Sequence, residues 1–187
     1  IANTMETALT VQEALERTRT LAAAAYMTRY RAGVARAREI LAGDPAILLH
    51  GGWIGGTPGV AWWRIKSLSG GQILEQTTHT FDLVRYLVGE PSLVYAVGTR
   101  GRVSDLPGYD GWEHTAAIRH ERHEGEERIE GEKDVFAVED SAFMQAVETG
   151  DVIPVRSPYA DAVKTLAFCL AANRSLETGE AVEVECP

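Results

Sequence analysis

Residues 69–91 read SGGQILEQTTHTFDLVRYLVGEP, and this stretch limits the fold more than any other part of the chain. A glycine pair opens it, and Gly89 with Pro91 closes it. Apolar residues recur between them at helical spacing, so a helix is predicted from about 72 to 88. Glu75 and His79 lie four residues apart and project from one face of that helix. A carboxylate one turn from an imidazole raises the histidine pKa and orients the ring, which suits proton transfer near neutral pH. The same spacing offers two metal ligands, with no obvious third nearby. The structural alternative is a partly buried, hydrogen-bonded histidine in the first turn of a helix.

The preceding segment, GGTPGVAWWRIKSLSGG, carries five glycines and a proline and reads as a loop. It holds Trp62, Trp63, Arg64 and Lys66. Aromatic faces stack on sugar rings, and Arg and Lys bind hydroxyls and anions, so these four are candidate substrate-binding residues. Tryptophans that anchor the loop against a sheet are the competing explanation.

Residues 10–42 are rich in Ala, Leu, Glu and Arg, with Thr10 and Glu13 spaced as a capping box. They form one long helix, or two with a break near 25–29. The string of strong helix formers without proline favours a helix continuous through Ala25 and Tyr26. AILLHGGWI after Pro45 reads as a strand, SLVYAVGTRGRV as another, and EHTAAIRHERHEGEERIEGEK as a polar hairpin. Amphipathic helices are predicted over 137–149, ending at Gly150, and over 157–176, with Ser157 as N-cap and Gly179 past the end. EAVEVE is a last short strand. Strands that neighbour one another through short turns favour an α+β fold, an open, largely antiparallel sheet flanked by helices with a long N-terminal helix. The chain reads as a single domain, 1–187, with a helical segment over 1–42 and the sheet and helices over 43–187.

A net charge of −9 argues against nucleic acid as a partner. No apolar run is long enough to span a membrane and no signal peptide is evident, so no membrane partner is expected. Cys169 and Cys186 form no metal or redox motif, which fits a reducing cytoplasm. His114, His120 and His123 are mixed with Glu and Arg on a polar strand and suggest a solvated face. Glu139 and Asp140 open a helix, where their charge offsets the dipole, and no chemistry is assigned to them. No G-x-G-x-x-G occurs in the chain, so no NAD or NADP site is expected in it.

The stretch at 69–91, followed by YAVGTRG, resembles the second domain of the Gfo/Idh/MocA family of NAD(P)-dependent oxidoreductases. The likeness extends to YMTRYRAGVARAREIL, to the tryptophan loop, to VFAVEDSAFMQAVETGD and to the C-terminal RSPYADAVKTLAFCLAANRSLETGEAVEV, covering most of the chain from Thr10 onward. The resemblance implies an open sheet whose face mediates homo-oligomers, and a bound sugar, cyclitol or similar polyol. It also implies hydride transfer to a nicotinamide, with a lysine of a Glu-Lys-Pro motif and an acid or histidine of the second domain handling the proton. Glu75 falls where members carry Asp, and His79 falls on the family histidine, which makes the pair the candidate catalytic residues. The Glu-Lys-Pro position falls on Thr4, Met5 and Glu6, and methionine transfers no proton. Two sheet segments also read as shortened relative to the family. The nucleotide-binding domain is not in this sequence, so the expectation is a substrate-binding half with no cofactor of its own, paired with a separate nucleotide-binding chain. A non-catalytic binding or assembly module, or a cofactor-independent enzyme using His79 as base, are the alternatives.

Overall fold

A computed structural model describes residues 1–52, 59–98, 115–119, 126–131 and 134–187. Helix α1 spans Met5–Thr18, starting earlier than the expected Thr10 box. Thr4 is the N-cap, its hydroxyl accepting from the Thr7 amide at 3.2 Å. Thr10 sits inside the helix and donates back to the Glu6 carbonyl. A cap at Thr4 wins because it lets Met5, Ala8 and Leu9 pack on the cluster around Val163 and Leu166.

The expected helix through Ala25 and Tyr26 does not form. Arg19 takes a left-handed conformation (φ 53°) and closes α1. The chain then runs extended, makes a 3-10 turn over Met27–Tyr30, and re-enters helix as α2, Ala32–Gly43. Tertiary pairing overrides propensity here. The Ala24 amide donates to the Ser157 carbonyl, the Tyr159 amide donates to the Ala22 carbonyl, and Ala23 bridges Pro158. Ser157 is consequently not the cap of the last helix; its buried hydroxyl donates to the Ala24 carbonyl at 2.6 Å.

The strand expected after Pro45 is not formed over the part described, 46–52, and Ile47 and Leu48 are fully and 86 % exposed. No described strand lies beside them to complete a ladder, which an isolated strand needs. The tryptophan segment is more ordered than a loop. A 3-10 turn covers Ala61–Arg64 and a short helix α3 covers Lys66–Ser69. A π-turn, Ile73–Thr77, then runs directly into α4, Thr78–Val88. Gly70 and Gly71 make the reversal between α3 and the π-turn with φ of 76° and 86°. At Gly70 a Cβ would meet Leu74 Cδ2 at 2.5 Å, so this position admits only glycine.

Strand β1, Leu93–Val94, pairs antiparallel with β4, Val182–Glu183. Beyond β1 the Ala96 amide bonds the Ser175 hydroxyl of a helix and not another strand. The polar hairpin forms as read: β2, Thr115–Arg119, faces β3, Glu126–Glu130, with Thr115 opposite Glu130 and Arg119 opposite Glu126. His114, His120 and His123 lie outside the described residues. Helices α5, Val135–Thr149, and α6, Tyr159–Thr178, end at left-handed Gly150 and Gly179 as expected. The fold is α+β, helix-rich, with small antiparallel sheets. Helix α6 is its centre: Ala162, Val163, Thr165, Leu166, Cys169 and Ala172 are buried, with α1 and α4 packed against it. Among the described residues no helix is long and apolar enough to cross a membrane.

Candidate functional site

The first turn of α4 organises the site. Its Thr78 hydroxyl lies 3.0 Å from the Tyr26 hydroxyl and 3.7 Å from the buried Cys169 sulfur. One residue on, the His79 ring meets the Tyr26 ring edge to face, centroids 5.7 Å apart at 85°. His79 is half-buried. Burial pushes its pKa below the usual histidine value, and the negative charge of Asp82 offsets part of that. The imidazole is therefore neutral at neutral pH, contrary to the protonated histidine expected from a charged neighbour. The acid acting on it is Asp82, one turn along α4.

Asp82 is 1 % exposed and anchors a buried ionic network. Arg29, from the 3-10 turn after the alanine segment, clamps it with two bonds, Nε to Oδ2 at 2.7 Å and Nη2 to Oδ1 at 2.5 Å. The Thr165 hydroxyl of α6 donates to Asp82 Oδ1 at 2.9 Å. Arg85, a turn beyond Asp82, donates to that same hydroxyl at 2.6 Å and grips Glu90 with two bonds of 2.7 Å. Asp161 lies between the two arginines, 2.6 Å from Arg29 and 3.0 Å from Arg85. Burial raises the Asp161 carboxyl, but its bonds and charge contacts with Arg85 and Arg29 outweigh this and hold it below the ordinary carboxylate range. Arg29 also stacks on Tyr86, 4.7 Å from the ring centroid. These groups fix α4 against α6 and the Met27–Tyr30 turn, so His79 is carried on a rigid support.

The six residues expected from sequence fall on four consecutive elements, the Ala61–Arg64 turn, α3, the π-turn and α4. Glu75, half-buried, lies in the π-turn that continues into the helix of His79. Trp62 and Trp63 share the Ala61–Arg64 turn; Trp62 is 45 % exposed and Trp63 half-buried. The Trp63 indole nitrogen is buried and has no hydrogen-bond partner among the described residues. The Arg64 side chain lies outside what is described. Lys66 reaches Glu177 of α6 at 2.7 Å, an exposed tie between α3 and the end of α6. Among the described residues no group of three or more His, Cys, Asp and Glu is placed to hold a metal ion. Sequence reasoning missed Tyr26, Arg29, Asp82, Arg85 and Asp161. The spacing of His79, Asp82 and Arg85 at i, i+3 and i+6 was a readable signal, whereas the partners from 26–29 and 161–165 depend on the break after α1.

A family model described as the GFO/IDH/MocA C-terminal domain matches residues 47–146, more than half of the chain. The chain belongs to the Gfo/Idh/MocA family. Solved structures agree with this in fold. Levoglucosan dehydrogenase in its apo form superposes with a TM-score of 0.71 at 17 % identity, over 100 % of this chain and 72 % of that one. An oxidoreductase from Agrobacterium radiobacter, in complex with NAD+, L-tartaric acid and magnesium, gives 0.67 at 12 % identity over 98 % and 70 %. A myo-inositol dehydrogenase from Corynebacterium glutamicum ATCC 13032 gives 0.62 at 14 % over 99 % and 71 %. No curated protein matches the sequence. Within the Gfo/Idh/MocA frame, the matched segment holds the tryptophan turn, the π-turn and all of α4, the elements that carry Trp63, Glu75 and His79.

Proposed function

We propose that this chain is the substrate-binding half of a sugar or polyol oxidoreductase and is not redox-competent by itself. The observation that carries the reading is the neutral, half-buried His79, held on a helix that the Arg29–Asp82 clamp makes rigid, inside a Gfo/Idh/MocA domain. A neutral imidazole accepts a hydrogen bond from a substrate hydroxyl and can take its proton, which an imidazolium cannot. Glu75 stands one turn earlier as a second acceptor for hydroxyls. Trp62 offers an exposed aromatic face, and the Trp63 indole N–H, without a partner among the described residues, offers a donor. Arg64 and Lys66 complete the proposed substrate set, with Lys66 released from Glu177 when it engages a ligand.

The residues present do not fit NAD or NADP. A dinucleotide fold needs parallel strands and a glycine-rich turn into a helix N-terminus. Every described strand pair here is antiparallel, and the sequence has no G-x-G-x-x-G. The nucleotide would be held by residues outside this sequence. Met5 favours the second reading, a non-catalytic binding and assembly module. The family lysine position falls on this residue, and its side chain packs on the Ala8, Val163 and Leu166 cluster. The free Cys169 and Cys186 fit a reducing, cytoplasmic setting for either reading.

The test is calorimetric titration of the isolated chain, first with NAD(H) and NADP(H), then with a panel of cyclitols and sugars. The proposal expects no nucleotide binding and saturable binding of at least one polyol. Micromolar, stoichiometric nucleotide binding would overturn the first part, and a blank polyol panel the second.

A further inference from the structure

A hollow lies beneath the extended alanine segment and includes none of Trp62, Trp63, Glu75 or His79. It is a cavity of about 380 Å³ lined by residues 21–25, Tyr30, and Glu139, Asp140 and Phe143 of α5. Glu139 is 8 % exposed, and its Oε1 is buried without a hydrogen-bond partner among the described residues. Burial, with the negative charges of Asp140 and Asp82, pushes the Glu139 carboxyl up to about 7. A carboxyl left in this condition is costly unless something supplies the missing donor. Among the described residues no protein group does so. The Tyr30 hydroxyl accepts from the Arg156 amide at 2.8 Å and its own O–H makes no bond to Glu139 Oε1, while the Ala24 amide donates to the Ser157 carbonyl. The lining contains two carboxylates and no Lys, Arg or His. Its remaining walls are methyl groups, an aliphatic side chain and two aromatic rings.

We infer that this cavity is a binding site for a small organic cation, a primary alkylammonium with a short apolar body. The ammonium donates to Glu139 Oε1 and is held by the field of Glu139 and Asp140, while its chain lies against the alanines, Leu21 and Phe143. An anion is disfavoured by the paired acids, and a neutral alcohol gains the apolar contact without the charge. The site lies outside the polyol reading and does not depend on it.

The experiment is an NMR titration of the full chain with n-butylammonium chloride at fixed ionic strength, beside n-butanol as the uncharged analogue of similar shape. Saturable shifts are expected at residues 21–25 and 139–143, with butanol at least tenfold weaker. Glu139→Gln keeps the shape and removes the charge, and should weaken butylammonium at least tenfold. Ala25→Leu fills the hollow from an exposed position and should abolish binding. Three results overturn the proposal: no saturable shift in the wild type, equal affinity for butanol, or undiminished binding in Glu139→Gln. If Glu139→Gln does not fold, undiminished binding in Ala25→Leu overturns it instead.

Discussion

Arg29 and Asp82, 53 residues apart in the chain, meet in a two-bond clamp with both side chains almost wholly buried. The clamp joins the turn after the alanine segment to the helix that carries His79. Its members are buried charges, so each depends on the other for compensation.

Removing one partner should therefore cost more than removing both. Asp82→Asn is expected to destabilise the fold by about 3–5 kcal/mol, the range for breaking one side of a buried pair. The double variant Arg29→Met with Asp82→Leu should cost less than Asp82→Asn alone. Urea denaturation of the wild type and the two variants checks this, and a double variant less stable than Asp82→Asn would show that the two groups do not compensate each other.

Glu139 gives the fold a pH dependence with a definite sign. Its folded carboxyl sits near 7 against an ordinary 4.5, so the fold favours the neutral form. That contribution is complete below about 4.5 and is lost as pH rises through about 7. His79, whose pKa is lowered, runs the other way, so the comparison must be made against a variant. The stability of the wild type minus that of Glu139→Gln should fall by about 2 kcal/mol between pH 5 and 8, at ~1.4 kcal/mol per pKa unit with allowance for screening. A difference constant across that range would contradict the assignment.

The sheet face that the family resemblance makes an oligomer interface has apolar positions at Val94, Ala96, Ala117 and Ile118. Val94 and Ala96 are half-buried, whereas Leu93, Tyr95 and Val97 stand 58 %, 63 % and 79 % exposed on the alternate face. The side chains of Ala117 and Ile118 lie outside what is described. An apolar stripe of this kind on a strand edge favours a second copy as its cover. Tyr95→Lys should shift the sedimentation profile toward monomer at high micromolar concentration. A wild-type profile that is already monomeric there would count against the stripe as an interface.

The legible parts of the fold were those where local signals agree with tertiary demand. The helix through His79 and the two C-terminal helices announce themselves by periodicity and by glycines at their ends, and Gly89, Gly150 and Gly179 stand at those stops. The break after Thr18 was not legible. Alanines at 22–25 are ideal helix formers, yet their backbone bonds go to 157–159, a partner more than 130 residues away whose identity no local pattern reveals. Over 46–52 the expected strand does not form for the complementary reason, since among the described residues no strand lies beside it to build a ladder. At the site, the Glu75–His79 spacing was visible and fell on a π-turn running into α4. The electrostatics were not, because burial and Asp82 control His79, and neither can be read from a four-residue spacing.

His79, half-buried and neutral, is the group proposed to meet substrate. The direct measurement compares His79→Ala with wild type in both polyol affinity and urea stability. The account predicts at least a tenfold loss of affinity for whichever polyol the wild type binds, with less than about 2 kcal/mol lost in stability. A larger stability loss together with unchanged polyol affinity would make His79 a structural residue and contradict the central claim.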